Sequence, residues 1–289
     1  MKRHKLLEFF TDVVFIGPAL TAFFLIVIIP LVLGVFYSFT DWNGVRFNQV
    51  VGVTNYITVF NDPRFVSAFF RTFRFAGAAV VCINLIGFSL ALLVTTAMPG
   101  TSIMRAVFYL PNLIGGLILG FIWNFIFVEV FPAIGGALGV NFLFGWLSNA
   151  QTGFWGLVIL ISWQMSGYMM VIYIAALQSI PADVVEAAAI DGANAIKKLK
   201  YITLPLVAPA FTISIFLTLA NTFRMYDQNV ALTGGGPGSS TQLVAMDIFQ
   251  TAFVREQNAQ GQAKAIIFLI VVMAITLSQV YFSKKKEAA

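Results

Sequence analysis

Six stretches of this chain are long and apolar enough to cross a lipid bilayer, and that fact decides most of what it can fold into. A helix needs about 20 mainly apolar residues to span the hydrocarbon core. Residues 13–36, 70–96, 103–128, 154–178, 202–223 and 263–282 each meet that length. In lipid every backbone N–H and C=O must be satisfied within its own segment, so these stretches are expected to be helices. The fold class that follows is all-α: a polytopic membrane protein with six transmembrane helices. The first stretch is too long for a signal-peptide core and lacks a clear small-residue cleavage site after it, so it is expected to be retained.

Composition agrees and narrows the chemistry. The 289 residues are 59% hydrophobic and 10% charged, too little polar surface to clothe a water-soluble globule. Cys82 and His4 are the single cysteine and histidine, so no internal disulfide, His/Cys metal cluster or histidine-activated nucleophile is possible. No G-x-x-x-x-G-K-[ST] phosphate loop occurs, so the chain is not expected to hydrolyse nucleotide by itself. The net charge of +5 is scattered or gathered at segment ends without a basic stripe, which argues against a nucleic-acid partner. Asp12, Glu129 and Asp227 all fall near segment ends. The lack of an acid deep in a span speaks against an ion-driven transporter.

Lysine and arginine set the expected orientation. The clusters Lys197, Lys198, Lys200 and Lys284, Lys285, Lys286, with Lys2, Arg3, Lys5 and Arg105, place both termini and residues 179–201 in the cytoplasm. Residues 37–69, 129–153 and 225–262 then form the outer loops. The last of these carries the turn-forming run GGGPG at 234–238.

The cytoplasmic loop EAAAIDGANAIKKLKYITLPLVAP, 186–209, is unlike its apolar surroundings. Pro181 is a suitable first helical residue, and Asp183 complements the positive helix end. A helix over 181–191 is expected, ended by Gly192, with Asn194 capping a second short helix that leads to Pro205. Such a compact, small-residue element with one projecting acid, Glu186, has the shape of something held in a pocket of another protein. The plainer alternative is a connecting loop whose lysines obey the positive-inside bias.

Polar residues inside the spans are the candidates for a solute path. Asn112 and Gly116 lie in the third, Gln164 and Tyr168 in the fourth, and Thr218, Asn221, Thr222 and Arg224 near the end of the fifth. Each either lines a path or ties helices together by hydrogen bonds. Gly116 with Gly120 is a small-xxx-small pair of the kind that permits close helix packing. Arg224 either meets an acidic solute or pairs with Asp227. Asn84 reads as structural.

The residues Glu186-Ala187-Ala188, Asp191-Gly192-Ala193 and Ile202-Thr203-Leu204-Pro205 resemble the EAA loop of the membrane subunits of ATP-binding-cassette importers. Tyr37-Ser38-Phe39-Thr40-Asp41-Trp42, Val51-Gly52-Val53-Thr54-Asn55-Tyr56 and Leu232-Thr233-Gly234-Gly235-Gly236-Pro237-Gly238 resemble the outer loops of that family's carbohydrate branch. Leu199 and Arg71 depart from it, where the family often has an aromatic and an asparagine. The resemblance implies a type I importer membrane domain over 70–283, with 1–69 as an N-terminal tail, helix and outer loop and 284–289 as a basic tail. It implies that Glu186, Ala187, Ala188, Asp191, Gly192, Ala193, Leu204 and Pro205 couple to an ATPase. By alignment with the maltose-permease branch it also implies sugar contacts at Asn112, Gly116, Gln164, Met165, Thr218, Thr222, Arg224 and Met225; Asn221 joins them on chemistry. The implied partners are a second similar permease, two cytoplasmic ATPase subunits that carry ATP and magnesium, an extracellular solute-binding protein and a carbohydrate. No cofactor is expected in this chain. Import of a glycerol phosphate or other polyol derivative is the same-class alternative.

Overall fold

The computed structural model describes residues 14–96 and 99–287, with side chains through Lys285. His4, the basic residues Lys2, Arg3 and Lys5, and Asp12 lie outside the described residues. The membrane-crossing helices are α1 (Val14–Ser38), α3 (Pro63–Thr95), α5 (Gly116–Leu138), α6 (Ala150–Gln178), α8 (Ala195–Phe223) and α11 (Asn258–Glu287). Shorter helices stand between them: α2 (Thr54–Phe60), α4 (Thr101–Tyr109), α7 (Ala182–Ile190), α9 (Asp227–Thr233) and α10 (Val244–Val254). Among the described residues there is no strand, only an isolated Thr40–Val50 bridge. The all-α, six-span architecture is as the apolar stretches require.

The third span differs from its expected limits of 103–128. The chain here is a broken helix: α4, a 3-10 turn at Leu110–Leu113, extended backbone at Ile114 and Gly115, and then α5. Pro111 supplies no N–H, and the glycines after it give little reason to continue a helix. At the other end α5 runs on to Leu138 through residues expected to be loop. A π-turn at Ile126–Val130 precedes Pro132 and lets the helix resume without the missing N–H. Gly139, at φ +68°, ends it.

The chain divides into two compact units. One comprises, among the described residues, 64–96, 99–247 and 270–287, and its centre is α6, in which 67% of the most apolar window is buried. This helix is apolar all round, the pattern of a segment enclosed by others. Small residues bring its neighbours close: a Cβ at Gly167 would lie 1.8 Å from the Phe108 carbonyl oxygen of α4. Phe75 and Ile83 of α3 and Leu119 of α5 share one core with Met169, Met170 and Tyr173 of α6 itself, all fully buried.

A polar network crosses this apolar core. Asn84 Oδ1 accepts from Tyr173 Oη at 2.6 Å and Ser214 Oγ at 2.7 Å, while its Nδ2 donates to the Val80 carbonyl and to Thr218 Oγ1. The amide of Asn84 thereby ties α3, α6 and α8 together with each of its groups satisfied, as a polar side chain inside a membrane bundle must be.

The other unit comprises, among the described residues, 14–63 and 248–269. Its loop after α1 is held by Asn55, whose Nδ2 donates to the carbonyls of Ser38 and Thr40, and by stacking of Tyr37 on Trp42. The carboxylate of Asp41 accepts the backbone N–H groups of Gln49 and Asn48, which hold its pKa below the usual carboxylate value. The Ala259 N–H donates to the Trp42 carbonyl, and Lys264 Nζ lies 2.8 Å from Asp62 Oδ2.

Candidate functional site

The break in the third span opens a cavity of 380 Å³ lined by Asn112, Ile161, Gln164, Met165, Tyr168, Asn221, Arg224, Met225 and Gln228. Three features of the local sequence assemble it. The Pro111–Gly115 interruption frees backbone groups of the third span, and Gln164 Nε2 donates to the released Ile114 carbonyl at 3.2 Å. Helix α8 stops at Phe223, so the turn at 224–226 brings Arg224, Met225 and then Gln228 of α9 to the same place. Gly120 lets α9 approach α5 closely, since a Cβ there would lie 2.5 Å from Ala231 Cβ. Asn124 Nδ2 completes that contact by donating to the Leu232 carbonyl.

The lining can hydrogen-bond in both directions. Asn221 spends its Nδ2 on the Leu217 carbonyl, which leaves its Oδ1 as an acceptor. Arg224, which also lines the cavity, donates Nε to the Ala220 carbonyl, which holds the guanidinium against its own helix. Among the described residues it forms no ion pair with Asp227. Tyr168 and Ile161 add an aromatic and an aliphatic face. A pocket with a few polar groups beside an aromatic surface is the general form of a small-molecule site, and interrupted membrane helices are where such sites form in transporters.

Of the residues singled out in the sequence, Asn112, Gln164, Met165, Tyr168, Asn221, Arg224 and Met225 meet here. Gly116 sits just behind the lining, against the side chain of Gln228. Thr218 and Thr222 are placed elsewhere: both are fully buried and donate to carbonyls of their own helix, with Thr218 also receiving Asn84. They lie on the face of α8 that packs, while Asn221 lies on the face that does not. Gln228 and Ile161 were not among the expected residues. The spacing of Asn221, Arg224 and Gln228 was a possible signal, but the helix end at Phe223 separates the first from the other two.

The second candidate element is α7 and the turn after it. Asp191, Gly192 and Ala193 end the helix in a Schellman motif: Ala193 N–H donates to the Ala188 carbonyl at 2.9 Å and Gly192 N–H to the Ala189 carbonyl at 3.1 Å. Gly192 takes φ +75°, a left-handed conformation costly to any residue with a Cβ. Asn194 then accepts from the Lys197 N–H and caps the next turn. Pro181 stands at the N-cap, one position earlier than expected, with Ala182 as the first helical residue. A π-turn at Leu199–Thr203 leads to Leu204 and Pro205 at the start of the regular part of α8. Within residues 181–200 only Ala188 is buried. Glu186, Ala187, Asp191 and Gly192 are exposed, and so are Ile190 and Ile196, at 86% and 75%.

Six helices long and apolar enough to cross a membrane, with a polar cavity where the third span, α6, α8 and α9 meet, define a multi-pass membrane protein. It belongs to the family described as binding-protein-dependent transport system inner membrane component, whose pattern matches residues 83–287. It is 51% identical to "Probable starch degradation products transport system permease protein AmyD" of Thermoanaerobacterium thermosulfurigenes over 94% of each chain. It is 32% identical to the multiple sugar-binding transport system permease protein MsmF of Streptococcus mutans, over 89% of this chain and 90% of that one. In fold it matches a chain of a bacterial ABC transporter involved in import of the acidic polysaccharide alginate. That match has a TM-score of 0.83 at 18% identity and covers 98% of this chain and 96% of the other.

Proposed function

We propose that this chain is one membrane-spanning subunit of an ATP-driven, binding-protein-dependent importer of sugars or oligosaccharides, and that it forms half of the translocation path. The observation that carries the reading is the cavity at the helix break, where amide groups of Asn112, Gln164, Asn221 and Gln228 stand beside Tyr168. Sugars present hydroxyls that donate and accept, together with apolar ring faces, and this lining matches both. The names of the relatives, which concern starch degradation products and multiple sugars, support the same substrate class.

Power comes from elsewhere. The bare element at 181–200 is the surface that docks on a cytoplasmic ATPase subunit, with Glu186 and Ile190 exposed for contact and Gly192 setting the bend. ATP and magnesium belong to two such subunits. A second, similar permease supplies the other half of the path, and an extracellular solute-binding protein delivers the sugar. A transporter structure in this fold contains a periplasmic protein bound to an alginate pentasaccharide, which supports that partner. The lysine clusters support a prokaryotic cell membrane location with both termini on the cytoplasmic side. One observation favours a second reading, import of an acidic solute such as a polyol phosphate: Arg224 lines the cavity and has no carboxylate partner among the described residues.

The test is ATP-dependent uptake of maltose and glycerol 3-phosphate by the reconstituted complex. Maltose uptake without glycerol 3-phosphate uptake supports the sugar reading, and the reverse supports the acidic one. Glu186→Lys and Gly192→Pro are expected to reach the membrane but to separate ATP hydrolysis from uptake. Wild-type uptake in both variants would remove the coupling role.

A further inference from the structure

A residue outside the expected set is built into the cavity by a chain of amides. Gln228 Nε2 donates to Gln164 Oε1 at 3.0 Å, and Gln164 Nε2 donates to the Ile114 carbonyl at 3.2 Å. The direction of this chain is fixed from one end. A backbone carbonyl can only accept, so Gln164 must turn its nitrogen to Ile114 and its oxygen to Gln228. Gln228 must then present its nitrogen to Gln164. Its Oε1 has no hydrogen-bond partner among the described residues, and one N–H of its amide is also unspent.

Gly116 makes room for this arrangement. A Cβ at that position would lie 2.9 Å from Gln228 Cδ, 3.0 Å from Nε2 and 3.1 Å from Oε1. The side chain of Gln228 is thus held between the start of α5 and Gln164, with both amide groups oriented before any ligand arrives.

We propose that Gln228 is a specificity-determining residue of the cavity, which reads one sugar hydroxyl with its oriented Oε1 and free N–H. This inference rests on the sugar reading above. A hydroxyl both donates and accepts, so it complements such an amide, whereas a ligand lacking that hydroxyl leaves the amide unpaired. Gln164 acts through Gln228 as a positioning residue, and Gly116 is the space that the amide needs.

The test uses the assembled importer with saturating sugar-loaded binding protein and compares uptake of maltose with a panel of monodeoxy maltoses. The wild type is expected to prefer maltose over at least one analogue on the order of tenfold, the size of one lost hydrogen bond of about 1.4 kcal/mol. Gln228→Ala is expected to erase that preference, and Gln228→Glu to do the same, because its carboxylate would meet Gln164 Oε1 acceptor to acceptor. Gly116→Ala is expected to weaken discrimination in the wild type and to change nothing further in the Gln228→Ala background. A Gln228→Ala importer that keeps every wild-type ratio, or loses uptake of all the sugars by one common factor, overturns the specificity role and leaves the sugar reading standing. A wild-type complex that hydrolyses ATP but takes up no maltose or analogue overturns the sugar reading and this inference with it.

Discussion

Lys264 and Asp62 form an ion pair of unequal burial: their 2.8 Å contact joins an ammonium 1% exposed to a carboxylate 25% exposed. Lys264 Nζ also donates to Thr251 Oγ1 at 2.9 Å. Losing the partner of a buried charge costs about 3–5 kcal/mol, whereas a partly exposed carboxylate can turn to water. Asp62→Ala is therefore expected to lower thermal stability in detergent more than Lys264→Met. Equal shifts of the two variants, or the opposite order, would show that burial of Lys264 does not control this site.

Asn84 should matter more than any single partner. Removing it strands Tyr173 Oη in an apolar core and leaves Ser214 Oγ only the weak acceptor Met169 Sδ, at about 1–3 kcal/mol for an unsatisfied group. Tyr173→Phe deletes one donor and leaves Asn84 its other bonds, a loss nearer 0.6 kcal/mol by the usual worth of such bonds in membrane bundles. Unfolding of the two variants in mixed micelles checks the ranking. A Tyr173→Phe loss as large as that of Asn84→Leu would contradict it.

The contact of α5 with α9 predicts a rescue. Gly120→Ala drives a methyl group to within 2.5 Å of Ala231 Cβ, and such overpacking costs roughly 1–3 kcal/mol. Ala231→Gly removes the opposing carbon. The double variant Gly120→Ala/Ala231→Gly should recover most of the stability lost by Gly120→Ala alone. Additive losses would mean that the two positions do not meet.

Asp41 supplies a pH dependence. Its folded pKa is lowered by N–H donation from Gln49 and Asn48, so the carboxylate form favours the folded loop. That contribution is complete above the unfolded pKa and is lost as pH falls through the lower, folded one. Amide hydrogen exchange at Asn48 and Gln49 should therefore lose protection in acid, below the ordinary carboxylate range. In Asp41→Asn the same amides should show no such transition; an identical acid transition in that variant would assign it to another group.

Local sequence was enough to determine that there are six spans, though not the limits of the third, and to determine the turn at Gly192. A run of apolar residues near 20 long forms a helix in lipid because its backbone has no other partner. The Gly192 bend and the Asn194 cap close within a few residues, through bonds such as Ala193 N–H to the Ala188 carbonyl and Lys197 N–H to Asn194 Oδ1. The cavity was legible only in part. Thr218 and Asn221 are three residues apart and equally polar, yet one is locked to Asn84 of α3, 134 positions away, and the other faces the cavity. The chain of amides from Gln228 through Gln164 to Ile114 likewise spans separations of 64 and 50 residues. Periodicity fixes which residues share a helix face. What that face meets is decided by packing among helices distant in sequence, and here small residues such as Gly120 and Gly167 set how closely those helices approach.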